Sequence, residues 1–145
     1  MSEIKSIQDK IRADFAALDD SDDKWAYLLK IARSHPVMDE SLADEKFLVK
    51  GCATRLYCVP QFAEGKLVLH IDTDQGGDNP MIVRGLAALA SQVYSGQSPK
   101  EILEADPSFF QEIGLNVALS ATRANGFASL LKQIYMYAQV YARMV

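Results

Sequence analysis

The side chains best suited to nucleophilic chemistry in this chain are its two cysteines, Cys52 and Cys58. Cys52 follows Gly51 and lies within a few residues of Lys46, Lys50 and Arg55. Positive charge nearby favours the thiolate, which is the reactive form. Gly51 carries no side chain, so a partner's backbone or a cofactor could approach closely there. Spacing alone still favours the plainer reading, in which Cys52 is a small apolar residue packed inside the protein. Cys58 shares its parity with Leu56 in an alternating run and is expected to point into the core. In an extended chain the six-residue separation of the cysteines spans about 20 Å. A disulfide needs Cα atoms within ~7 Å, so both are expected to be thiols in a reducing compartment.

Other reactive arrangements are poorly supported. Cys-x5-Cys is not a zinc spacing, and His35 and His70 stand far apart without a paired ligand, so no metal site is expected. A cysteine hydrolase would need the fold to bring one of these histidines to Cys52. His35, before Pro36, reads as a helix-end residue, and His70 as the outer face of a strand. Gly76-Gly77 lacks the pattern of a phosphate-binding loop and reads as part of a turn. No cofactor site is evident.

The elements around Cys52 follow from periodicity. Ile4, Ile7, Ile11, Phe15 and Leu18 recur at helical steps. The acidic run from Asp19 to Asp23 can cap a second helix that buries Trp25, Leu28, Leu29 and Ala32 and stops near His35-Pro36. Met38 to Lys46 is polar and charged and reads as a connecting segment with room for a helical turn. From Phe47 the period changes to two: Leu56, Cys58 and Phe62 alternate with Tyr57, Val59 and Gln61, and Leu67, Leu69 and Ile71 alternate after the turn at residues 63–66. Pro60 places the first strand at an edge or a bulge. Asn79 and Pro80 can open a third helix reaching Tyr94, with Gly96 as its stop. Ser98-Pro99-Lys100-Glu101 is a capping box, Asp106-Pro107 opens another short helix, and Ser120 can cap a long last one. Helices, a hairpin, then helices make an α+β fold: a small antiparallel sheet of about three strands packed by N-terminal and C-terminal helices.

Composition narrows the function. The chain has 145 residues, enough for one domain with a real core, and its 49% hydrophobic and 23% charged residues suit a globular protein. A net charge of −4 gives no reason to expect nucleic-acid binding. No apolar run approaches the ~20 residues of a membrane span. Met1 to Lys10 is polar and mixed in charge, unlike a signal or transit peptide, so a cytoplasmic location is the default expectation.

Three segments, in order, resemble the SufE family of sulfur-accepting partners of cysteine desulfurases. Val49-Lys50-Gly51-Cys52-Ala53-Thr54-Arg55-Leu56-Tyr57 is similar to a family segment apolar-x-Gly-Cys-x-Ser-x-Val-Trp, with Thr54 and Tyr57 in place of Ser and Trp. Ile82-Val83-Arg84-Gly85-Leu86 is similar to apolar-Val-Lys-Gly-Leu at a helix start. Ser120-Ala121-Thr122-Arg123-Ala124-Asn125-Gly126-Phe127 is similar to a Ser-Arg-x-x-Gly-Leu stretch opening the last helix. The resemblance runs over nearly the whole chain and implies a single domain over residues 1–145, of the SufE/IscU type. It implies that Cys52 accepts sulfur as a persulfide, for iron–sulfur cluster assembly, from a pyridoxal-phosphate-dependent cysteine desulfurase that the protein also activates. It implies partner-binding roles for Gly51, Arg123 and Asp78, the last blurred by the longer segment through Gln75, Gly76 and Gly77. A downstream scaffold protein would receive the sulfur. The alternatives are an adaptor that stimulates a desulfurase without carrying sulfur, and an iron–sulfur scaffold. Having one candidate ligand cysteine outside the core argues against the scaffold.

Overall fold

Several of the helices begin where a short polar side chain can take up a free backbone N–H. In the computed structural model, which describes residues 3–50, 55–73, 81–106, 108–115 and 119–144, helix α1 spans Glu3–Ala16 and buries Ile4, Gln8, Ile11 and Phe15. Helix α2, Ser21–Ser34, starts at Asp20, whose carboxylate accepts from the Asp23 N–H at 2.9 Å. It ends at His35, because the residue before a proline is driven out of the helical region. The connection that follows makes two 3-10 turns, Glu40–Leu42 and Glu45–Phe47, capped by Asp39 and Asp44.

Strands β1, Leu56–Ala63, and β2, Lys66–Thr73, pair antiparallel from Leu56↔Thr73 to Ala63↔Lys66. Their two-residue turn is Glu64-Gly65, both at positive φ (54° and 78°), the conformation whose twist suits a tight hairpin. The described residues hold two strands rather than the three or so expected. Among the described residues each outer edge carries a single isolated bridge, Leu48 to Tyr57 on β1 and Gln97 to Leu67 on β2. The chemistry of the β1 edge explains why pairing stops there. The Leu56 carbonyl accepts from the Val49 N–H, so Leu56, Cys58 and Pro60 aim their backbone polar groups away from β2. The Cys58 carbonyl is taken by the Tyr137 hydroxyl at 2.9 Å, and Pro60 has no N–H to offer.

Helix α3, Met81–Tyr94, is the central element and packs on α2 and β2. It buries Ile82, Val83, Leu86, Leu89, Ala90 and Val93, and Gly96 follows it at φ 83°. The expected cap Asn79 and first-turn Pro80 lie outside the described residues. Helix α4, Pro99–Glu104, has Ser98 accepting from the Glu101 N–H, and α5 covers Phe109–Glu112. Helix α6, Ala121–Ala142, starts at Ser120, which accepts from the Arg123 N–H. Among the described residues no helix is long and apolar enough to cross a membrane.

One large core joins the six helices given above to one face of the hairpin among the described residues. A smaller cluster of Met38, Tyr57 and Val59, with Leu42, Phe47 and Leu48 against it, covers the other face of β1. Leu56 to Val59 are therefore buried four in a row, where alternation predicts every second residue.

The tightest backbone approach is at Gly85. A Cβ there would sit 2.5 Å from the Leu28 carbonyl oxygen and 2.9 Å from its Cβ. Both neighbours are held by α2, so α2 and α3 would have to part. Gly85→Ala is expected to lower stability by at least about 2 kcal/mol, at the upper part of the usual overpacking range, read as a fall in the urea midpoint.

Candidate functional site

The residues that flank the Cys52 segment are joined across a closed neck. Leu48 bridges Tyr57, and the Val49 N–H donates to the Leu56 carbonyl at 2.8 Å. Gly51 and Cys52 themselves, and Asp78, lie outside the described residues. The stems on either side are anchored. The entering stem is tied to α6, where Gln133 Nε2 donates to the Phe47 carbonyl at 3.2 Å. The leaving stem is β1, held by Tyr137 at Cys58 and by the stack of Phe62 on Tyr141, ring centroids 5.3 Å apart.

The three cations near Cys52 in sequence are not equivalent. Lys46 Nζ stands 4.0 Å from Asp44 and over the Phe47 ring. Arg55 donates to the Tyr57 hydroxyl at 3.1 Å and pairs with Glu45 at 3.5 Å. These exposed pairs contribute little stability, but each offsets a positive charge. Among the described residues, Lys50 is exposed and has no acidic partner.

Arg123, in the first turn of α6, is exposed, and its guanidinium lies 5.1 Å from the Trp25 ring centroid. Phe47, Cys58 and Phe62 meet Gln133, Tyr137 and Tyr141 in that order, so β1 and α6 run side by side in one direction. The neck at Val49 and Leu56 therefore lies toward the N-terminal end of α6. Arg123 is about 15 Å along the helix from Gln133, at the rise of 1.5 Å per residue.

The side chains that sequence reasoning missed form a buried polar hub beneath this neck. Asp72 is 0% exposed, and its carboxylate accepts from the Met38 N–H (3.0 Å), the Thr73 N–H (2.8 Å) and Arg84 Nε (2.9 Å). Arg84 also donates to the Ala32 and His35 carbonyls, at 3.1 and 3.0 Å, at the C-terminal end of α2. His35 Nε2 meets the Ile71 carbonyl; a carbonyl only accepts, so Nε2 carries the proton. The charged groups are matched by hydrogen bonds, the condition under which buried charge is tolerated. The available signal was Arg84 itself, the one charged residue in an otherwise apolar stretch of α3.

Cys58 behaves as its parity implied. It is 0% exposed, and burial pushes its thiol up to about 12. Among the described residues no three His, Cys, Asp or Glu side chains are grouped to hold a metal ion.

Comparison with known proteins places the chain among relatives of one family. The family model described as "SufE: Fe-S metabolism associated domain" matches residues 9–138. An uncharacterised SufE-like protein of Rhizobium meliloti (strain 1021) is 35% identical over 127 residues, 87% of this chain and 90% of that protein. The sulfur acceptor protein CsdE of Escherichia coli (strain K12) is 31% identical over 126 residues, 86% of this chain and 82% of CsdE. The solution structure of a hypothetical protein from Thermus thermophilus shares the fold, with a TM-score of 0.74 at 21% identity, over 92% of this chain and 93% of that one.

The Cys58 thiol generates a prediction. A folded-state pKa above the unfolded value means that its contribution to stability is full below the ordinary thiol range. That contribution is lost as pH rises toward about 12. Iodoacetamide at about pH 8 should leave Cys58 unmodified until urea unfolds the chain, and Cys58→Ala should flatten the alkaline fall in stability. Peptide-resolved mass spectrometry and urea titrations across pH check both.

Proposed function

This chain belongs to the SufE family, and we propose that it accepts a sulfur atom on Cys52 from a pyridoxal-phosphate-dependent cysteine desulfurase and passes it on for iron–sulfur cluster assembly. The observation that carries the reading is the likeness to CsdE, a sulfur acceptor by name, over 86% of the chain. The residues agree with it: Gly51-Cys52 falls in a segment closed at its neck and anchored on both stems, and the second thiol is buried and protonated.

The chemistry is that of thiol–disulfide exchange. The Cys52 thiolate attacks the outer sulfur of a persulfide held on the desulfurase's cysteine. A new S–S bond forms at Cys52 as the old one breaks, and the donor cysteine leaves as a thiolate. The proton on the transferred sulfur is kept or lost to solvent. No net oxidation occurs, so no electron acceptor and no cofactor on this chain are needed. A second exchange with a thiol of a downstream scaffold discharges the sulfur. Such chemistry suits a reducing compartment such as the cytoplasm.

Gly51 would give the backbone freedom to present Cys52 to the desulfurase. Lys50 favours the thiolate. Arg123 and Asp78 are assigned to the partner-facing surface, Arg123 because it is exposed at the end of α6 toward which the neck faces. Activation of the desulfurase follows from removing its product sulfur.

Two experiments test this reading. After incubation with a desulfurase and cysteine, intact mass should show one added sulfur, mapped to Cys52 and absent from Cys52→Ser. If Cys52→Ser still stimulates the desulfurase fully, the protein is a non-carrying adaptor. Arg123→Ala should fold as wild type, within about 0.5 kcal/mol as an exposed substitution. It should weaken binding to the desulfurase, and unchanged binding would remove Arg123 from the interface.

A further inference from the structure

Both stems of the Cys52 segment trace back to one guanidinium. The leaving stem, Leu56-Tyr57, is paired with Thr73 and Asp72 of β2. The entering stem, Leu48-Val49, continues from the segment that begins at Met38, whose backbone N–H is held by the same Asp72 carboxylate. The Met38 side chain then packs with Tyr57 and Val59, laying that segment across the face of β1. Asp72 in turn is held by Arg84, which is 12% exposed and has further donors on the Ala32 and His35 carbonyls.

We infer that Arg84 is a positioning residue for the sulfur-accepting segment: through Asp72 it sets the geometry of the neck from which Cys52 is presented. The inference deepens the sulfur-acceptor reading and rests on it for its meaning, though the placement of the two stems stands on contacts alone. A planar guanidinium meets three acceptors in a fixed fork. A lysine at the same place keeps the charge but can aim only a single nitrogen. A loosened clamp lets Met38 and Thr73 move independently, and the two stems are left with only the bridge between them and their ties to α6. A residue serving stability alone would have no such selective effect on the thiol.

The test reads Cys52 without any desulfurase. The rate of iodoacetamide alkylation at Cys52 is measured by peptide-resolved mass spectrometry in the folded protein and in a free peptide of residues 47–57. The ratio of the two rates is the constraint that the fold places on the thiol. Arg84→Lys and Asp72→Asn should each bring the ratio closer to one by roughly tenfold, the effect of losing one charge-assisted hydrogen bond. Ile102→Val, which thins the core in α4 away from the clamp, should lower the urea midpoint and leave the ratio unchanged. Sulfur uptake by Arg84→Lys should slow at saturating desulfurase, with binding retained. The inference is overturned if the wild-type ratio is already one, if both clamp variants keep the wild-type ratio, or if Ile102→Val shifts it equally. Should wild-type Cys52 take up no sulfur while the alkylation ratios behave as stated, the clamp stands and the sulfur-acceptor reading falls.

Discussion

A two-stranded hairpin is at best marginal by itself in water, and the pairing of Asp72 with Arg84 is what fastens this one to the rest of the chain at its open end. The carboxylate sits near the end of β2, the guanidinium in the first turn of α3, and the carbonyls it reaches close off α2. Removing one partner of such a buried pair leaves an uncompensated charge, which typically costs about 3–5 kcal/mol. The pair is thus a constraint on arrangement: strand, two helices and the covering segment cannot shift independently without breaking it.

Close packing of α2 on α3 makes that constraint effective. Gly85 follows Arg84 directly and lets the Leu28 backbone approach within what a Cβ would occupy. With the helices this near, the fork of Arg84 reaches the carbonyls of Ala32 and His35 directly. The neighbouring residues therefore serve one purpose by opposite means, one by having no side chain and the other by having a long one.

The parts legible in sequence were those decided locally. Asp20, Ser98 and Ser120 cap their helices because a short polar side chain needs only its own next three residues, and Glu64-Gly65 turns because its chemistry is local. Long-range pairing was not legible. Met38 and Asp72 are 34 residues apart and meet only after folding, so neither announces itself as part of a hub. The covered outer face of β1 was missed for the same reason: Tyr57 and Val59 look solvent-facing until residues 38–48 lie over them. Among the described residues the expected third strand is absent, and the β1 edge opposes one through a proline nitrogen and a tyrosine hydroxyl. At the candidate site, residue types and nearby cations marked Cys52 as a candidate, and likeness to a family was needed to prefer it over a packed thiol, because a lone cysteine after a glycine has no spacing partner to mark it.

The buried thiol of Cys58 bears on how long a captured sulfur would last. A second reactive thiol in the same chain could attack a persulfide at its inner sulfur, close an internal disulfide and expel the cargo as free sulfide. Cys58 is enclosed and protonated at neutral pH, so that short circuit is shut. Cargo on the proposed carrier then leaves only when a thiol from another molecule collects it. Discharge becomes a matter of encounter, and the lifetime of the loaded state is set by which partners can reach it.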